Sequence, residues 1–107
     1  MKARVAFREA ALQDVRDILA HFAGARAGVG ERFIDALEAA TRCLRDHPES
    51  GHLLPSRIPS LAGLRTWPVP GFPDILLVTL ADRRRVSILR VVHGARDLPR
   101  LLAPEEE

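Results

Sequence analysis

The sequence predicts an α+β domain in which an N-terminal helical hairpin packs on one face of a small antiparallel sheet. Two observations lead to this prediction. Apolar residues recur at helical spacing in two neighbouring stretches of the first half, and three short runs rich in aliphatic and β-branched residues follow in the second half. The connections between these runs are short enough for antiparallel pairing. With a weak first strand and a terminal helix, the predicted order is β-α-α-β-β-β-α.

The first strand is predicted at residues 3–7, where apolar and polar residues alternate. The first helix begins at Glu9 and ends at Gly24. Its apolar stripe consists of Leu12, Val15, Ile18, Leu19 and Phe22.

The second helix begins after residue 28 and ends near His47, because the residue before Pro48 is pushed out of the α region. Two helices joined by so few residues must be antiparallel neighbours. Residues 48–59 contain three prolines and predict a connecting loop. The apolar stripe of this helix consists of Val29, Phe33, Leu37, Ala40 and Leu44.

Three further strands are predicted at residues 64–69, 75–80 and 86–92. The middle one is almost continuously apolar, which suits a strand covered on both faces. Nine residues should mostly lie in one core between the helical hairpin and the sheet: Leu12, Val15, Ile18, Leu19, Phe33, Leu37, Leu44, Ile88 and Val91. The strand stops at His93-Gly94, where glycine allows the chain to leave the sheet.

The length of 107 residues fits a single domain, which we place at residues 1–103, followed by an acidic tail at 104–107. One cysteine, Cys43, excludes an internal disulfide, and the four histidines show no metal-ligand spacing. No apolar run approaches the roughly 20 residues that span a bilayer, and no signal-peptide core follows the N-terminus. We therefore expect a cytoplasmic protein without a metal or another cofactor.

Charge is distributed unevenly along the chain. Residues 51–103 carry eight arginines and three aspartates, whereas residues 1–50 carry equal numbers of acidic and basic side chains. Arginine forms bidentate contacts with phosphate and carboxylate groups, so this half favours an acidic protein partner or nucleic acid. A merely solvated surface explains the same pattern. Direct nucleic-acid binding is compatible with the sequence but not required by it.

Polar residues cluster where the last strand ends. His93 lies between Arg90 and Arg96 in the sequence, and an imidazole can accept or donate a proton, so His93 could act as a general acid or base beside phosphate-binding groups. The same histidine could instead bond to the backbone where the strand leaves the sheet. Arg96 and Asp97 are interpreted as a structural ion pair and as the cap of the terminal helix.

Three arginines of the predicted sheet and its turns are candidate binding residues. Arg65 and Arg90 stand on different predicted strands and could both point to one open face of the sheet. Arg83 begins an arginine run that fits a solvated turn. The sequence contains no phosphate-binding loop, no Gly-x-Ser-x-Gly elbow and no zincin motif.

The run Ile88-Leu89-Arg90-Val91-Val92-His93-Gly94-Ala95-Arg96-Asp97-Leu98 resembles the C-terminal signature of the ParE branch of the RelE/ParE toxin superfamily. The similarity extends from about Val5 to Leu102. Its weaker parts are Ala11-Leu12-x-Asp14-Val15-x-x-Ile18, Arg32-Phe33, Leu44-x-x-x-Pro48-x-x-Gly51, Gly63-Leu64-Arg65 and Pro70-Gly71-Phe72.

This resemblance implies a toxin of a type II toxin–antitoxin system, of the kind called plasmid stabilisation systems. Members of the ParE branch inhibit DNA gyrase by stalling its cleaved-DNA complex, which blocks replication, and a ParD-like antitoxin neutralises them. On this interpretation no residue is catalytic. The residues that would contact the target are Arg65, Arg83, Arg90, His93 and Arg96.

The RelE branch instead cuts mRNA on the ribosome, using basic residues and a tyrosine or histidine near the end of the last strands. In that alternative Arg65, Arg90 and His93 would be catalytic, the arginines stabilising charge and the histidine moving one proton. The chain contains no tyrosine, and Thr79 and Leu80 stand where family members often place an aromatic residue and an arginine. We therefore expect a toxin that acts by binding and is not an enzyme.

Overall fold

The structure is a computed structural model that describes residues 2–24, 27–54, 62–94 and 97. Both helices and the three longer C-terminal strands lie where the sequence predicts them, and the predicted α+β class is confirmed. The predicted terminal helix beyond Asp97 and the acidic tail lie outside the described residues. The elements are β1 (Arg4–Phe7), α1 (Glu9–Ala23), α2 (Val29–Asp46), β2 (His52–Leu53), β3 (Leu64–Val69), β4 (Phe72–Asp82) and β5 (Arg85–His93).

The five strands of the described part form one mixed sheet in the order β1-β5-β4-β3-β2. Neighbouring strands from β2 to β5 pair antiparallel, but β1 pairs parallel with β5, and Val5 lies opposite Val86. The prediction of a wholly antiparallel sheet is therefore wrong at this edge. Most of the chain separates β1 from β5, so no hairpin turn fixes their relative direction, and a parallel pair can form.

The two-residue strand β2 lies in the segment predicted to be a loop. His52 pairs with Thr66, and Leu53 pairs with Arg65 of β3. Gly51 allows this close approach, because its φ is 95° and a Cβ atom there would overlap the Thr66 carbonyl oxygen. Two residues are too few to show a strand period in the sequence.

The main core lies between the helical hairpin and one face of the sheet. Phe33 of α2 is completely buried, and its ring packs edge-on against Phe22 and Phe72 at centroid distances of 5.6 and 5.3 Å. Five of the nine residues predicted for this core are buried and three are partly buried, but Leu12 is 41% exposed. Ala11, which is completely buried, takes the inward position on the first turns of α1.

A second apolar cluster lies on the opposite side of the sheet. Leu77 of β4 packs into the main core, whereas the next residue, Val78, packs into the second cluster. This alternation confirms that β4 is covered on both faces. The buried members of the second cluster are Leu64, Val78 and Val92. Neither of the two described helices is long and apolar enough to cross a membrane.

Candidate functional site

Arg90 of β5, a predicted target-binding residue, is held by Asp14 of α1. Its Nε and Nη2 atoms donate to Asp14 Oδ2 and Oδ1 at 2.7 and 2.9 Å. This bidentate ion pair leaves 41% of the Arg90 side chain and 15% of the Asp14 side chain exposed. The hydrogen bond to Asp14 raises the pKa of Arg90, against the opposing effect of burial, so the guanidinium stays charged.

Asp14 also covers an open edge of the sheet. β1 ends at Phe7, so beyond Ile88 no strand of the described residues pairs with β5 on that side. The Val91 N–H, which lies on this stretch, donates to Asp14 Oδ2 at 2.9 Å. The Asp14 carboxylate thus accepts the hydrogen bond that a neighbouring strand would otherwise accept. From the same position at the edge of β5 it also binds the Arg90 guanidinium. Sequence reasoning missed this role because Asp14 and Arg90 are 76 residues apart and no local pattern joins them.

Arg65 and Arg90 do not share a face of the sheet. Arg65 lies opposite Thr79 of β4, whereas Arg90 lies opposite the preceding residue, Val78. Successive strand residues point to opposite faces, so these pairings separate the two arginines. The expectation that both point to one open face is wrong. The cause is a β-bulge in the β4–β5 ladder, where Leu89 has no partner and shifts the residues after it by one position.

Arg65 has a local structural partner instead. Its Nη1 atom donates to the Gly51 carbonyl oxygen at 3.4 Å, which connects β3 to the segment that leads into β2. Thr79, its neighbour across the ladder, is completely buried, and its hydroxyl has no hydrogen-bond partner among the described residues. Leu80 packs into the second apolar cluster. Thr79 and Leu80 therefore have packing roles here, in place of the aromatic residue and the arginine that family members often have at these positions.

The end of β5 borders a cavity of about 570 Å³. His93 lines this cavity, its backbone N–H donates to Asp97 Oδ2 at 3.0 Å, and its buried Nδ1 has no hydrogen-bond partner in the described part of the chain. No group of histidine, cysteine or acidic side chains among the described residues is arranged to hold a metal ion. The other titratable residues that line the cavity are Asp14, Asp17, His21, Asp74 and Asp97.

The cavity is lined by apolar as well as titratable side chains. Ile18 and Phe22 of α1 and Phe72 and Ile75 of β4 supply apolar lining. Such a mixture suits contact with a partner's side chains. The cleavage alternative requires Arg65 and Arg90 beside His93. Neither arginine is among the described residues that line the cavity.

Arg83, another predicted target-binding residue, lies in the turn between β4 and β5 with a φ of 56°. From this turn to His93, the nine residues of β5 extend about 26 Å at the usual strand rise. Arg83 is therefore remote from the cavity. Arg96 lies outside the described residues. The predicted target-binding residues do not form one continuous site, and their role stays a prediction.

The chain resembles a solved structure described as the chromosomal ParDE toxin–antitoxin system from P. aeruginosa, with a TM-score of 0.63 and 17% sequence identity over 86% of this chain and 96% of that chain. At this identity the likeness shows the fold. No curated protein matches the chain.

The family follows from the sequence itself. The family model for the ParE toxin of the type II toxin–antitoxin system parDE matches residues 5–98. The chain belongs to this ParE toxin family, and the resemblance noted from its C-terminal run is confirmed.

Proposed function

We propose that this ParE-type toxin blocks replication by binding DNA gyrase, and that a ParD-like antitoxin neutralises it. The observation that carries the proposal is the match to the ParE toxin family over residues 5–98. The mode of action, binding without catalysis, is supported by the geometry of the three candidate catalytic residues.

Cleavage of RNA requires several groups around one reacting phosphate. Arg65 lies on the opposite face of the sheet from Arg90, and Arg90 donates two hydrogen bonds to Asp14. His93 is then the one candidate proton carrier of the three. A separated set of this kind favours recognition of a protein target over mRNA cleavage.

Exposed apolar side chains on the helices support neutralisation by a bound antitoxin. Leu12 of α1 and Ile34 of α2 are 41% and 38% exposed. A partner helix laid on the hairpin would remove these side chains from water.

Co-expression with the product of the neighbouring short reading frame tests the antitoxin. We expect size-exclusion chromatography with light scattering to show a stable hetero-complex, and Leu12→Ser combined with Ile34→Ser to weaken it. Leu53→Ser is the matched control, because Leu53 is also exposed but lies on β2. Two proteins that remain separate at micromolar concentration would contradict this part of the proposal.

A further inference from the structure

A strongly basic surface lies at the end of the sheet remote from His93. Six charged residues line a concavity of about 670 Å³, and five of them are cationic. We call this surface the turn patch. It consists of Lys2, Arg4, Asp82, Arg83, Arg84 and Arg85.

The fold builds the turn patch from three adjacent strands. Arg4 of β1 lies opposite Arg85 of β5, and Arg85 lies opposite Asp82 of β4. These three side chains form a row across one face of the sheet, because paired residues point to the same side. Lys2 precedes Arg4 by two residues and so follows the same alternation. The parallel pairing of β1 with β5, which the sequence did not predict, is what brings the N-terminal cations to the arginine turn.

Among the described residues, the five cations of the turn patch form no ion pair, and the patch contains one acidic side chain, Asp82, opposite Arg85. The one ion pair between described residues joins Arg90 to Asp14, and no side chain of the five cations donates a hydrogen bond within the described part. Like charges on neighbouring strands repel each other. This arrangement therefore favours an external anion that would relieve the repulsion.

The turn itself adds an independent sign of function. Arg83 adopts a left-handed φ of 56°, a conformation that glycine or asparagine adopts at lower cost in a hairpin turn. Backbone strain of this kind tends to persist at functional positions. The run Arg83-Arg84-Arg85 thus keeps an arginine at the position with the left-handed conformation, where a glycine would carry no charge.

The lining of the turn patch indicates the class of partner. All six lining residues are charged, and no apolar or aromatic side chain is among them. Protein partners derive most of their binding energy from buried aromatic or aliphatic anchors, and single-stranded nucleic acids from stacking on aromatic rings. A duplex backbone binds through phosphate neutralisation alone.

We propose that the turn patch binds the phosphate backbone of duplex nucleic acid without reading its sequence. Arginine forks suit this role because they contact phosphate oxygens in a bidentate geometry. The inference goes beyond gyrase binding and antitoxin neutralisation and does not depend on either, since the patch lies about 26 Å along β5 from the His93 cavity.

Salt-dependent binding to a short DNA duplex of arbitrary sequence tests the proposal. With three to five phosphate contacts, the slope of log K against log[salt] should lie at about −3 to −4.5. A single strand of the same length should bind more weakly, because the patch offers no stacking surface. Fluorescence anisotropy of the full chain between low and physiological salt measures both.

Two variants assign the binding to the turn patch. Arg4→Gln combined with Arg85→Gln should reduce the magnitude of the slope by about two, at roughly one per lost phosphate contact. The matched control is Arg32→Gln combined with Arg42→Gln on α2, which removes the same charge from exposed residues outside the patch and should leave the slope unchanged.

Arg83→Gly separates binding from folding. Glycine relieves the left-handed conformation, so the variant should melt at the same temperature as the wild type or higher, yet lose about one unit of slope. Three results would overturn the proposal: no duplex binding at low salt, an equal loss in the α2 control, or competition by polyglutamate as effective as that by DNA. The last result would assign the patch to an acidic polypeptide.

Discussion

Asp14 joins the helical hairpin to the sheet through three hydrogen bonds, two from Arg90 and one from the Val91 N–H. The ion pair by itself contributes little, because Arg90 is 41% exposed and solvent screens the attraction. The bond to the backbone matters more, since a part-buried N–H left without an acceptor costs about 1–3 kcal/mol. The energetic role of Asp14 is therefore to complete the edge of β5.

We expect Asp14→Ala to lower the free energy of unfolding by about 1–3 kcal/mol. Asp17→Ala is the control, because Asp17 is exposed on the same helix and should change stability by less than about 0.5 kcal/mol. Urea denaturation measures both. Equal effects of the two substitutions would show that Asp14 has no special structural role.

The charge on Arg90 should not make this contribution pH-dependent near neutrality. The hydrogen bond to Asp14 raises the Arg90 pKa above its unfolded value, so the stabilisation is fully present below the unfolded pKa. This stabilisation is lost only when the pH rises through the pKa that Arg90 has in the folded protein, which is higher than its pKa in the unfolded chain. Arginine titrates far above neutral pH, so this loss falls outside the physiological range.

His93→Gln distinguishes binding from catalysis at the residue scale. Glutamine keeps a polar side chain, and His93 lacks a hydrogen-bond partner for its buried Nδ1 among the described residues. We therefore expect the toxicity of the variant, measured by growth after induction without antitoxin, to stay close to that of the wild type. If His93 moved a proton, the same change would lower a cleavage rate by about 10²–10⁴-fold. Ribosome-dependent mRNA cuts that disappear in the variant would refute the binding mechanism.

At the scale of elements, the helical hairpin depends on the stripe that α2 presents to the sheet. Leu37 is 5% exposed within this stripe, so Leu37→Ala should lower the free energy of unfolding by about 2–5 kcal/mol. Leu12→Ala removes the same atoms from a side chain that is 41% exposed and should cost less than about 1 kcal/mol. Thermal or chemical denaturation gives the comparison. Similar losses in both variants would contradict the observed packing of the hairpin.

The same elements show what the sequence can and cannot predict. The helices and β3–β5 were predicted because their apolar periods are long enough to read. Three features have no local signal: the parallel partner of β1, the two residues of β2 and the bulge at Leu89. The bulge determines which candidate residues can act together, because the unpaired Leu89 shifts Arg90 to the face of the sheet opposite Arg65. Residue types at the site were therefore predictable, but their side-chain partners were not.

At the scale of the whole molecule, β5 connects two chemically different ends. The half-polar cavity with His93 lies at its C-terminal end, and the turn patch lies at its N-terminal end. Partners at the two ends would not compete for the same side chains. A toxin of this family could thus contact a protein target and a nucleic-acid backbone at the same time.

The central claim, that this ParE-type toxin acts by binding gyrase, is tested most directly by a supercoiling assay with purified toxin and DNA gyrase. We expect loss of supercoiling and accumulation of cleaved DNA, both unchanged by His93→Gln and both reversed by the co-expressed antitoxin. Normal supercoiling at toxin concentrations well above that of gyrase, together with mRNA cleavage on ribosomes, would contradict it.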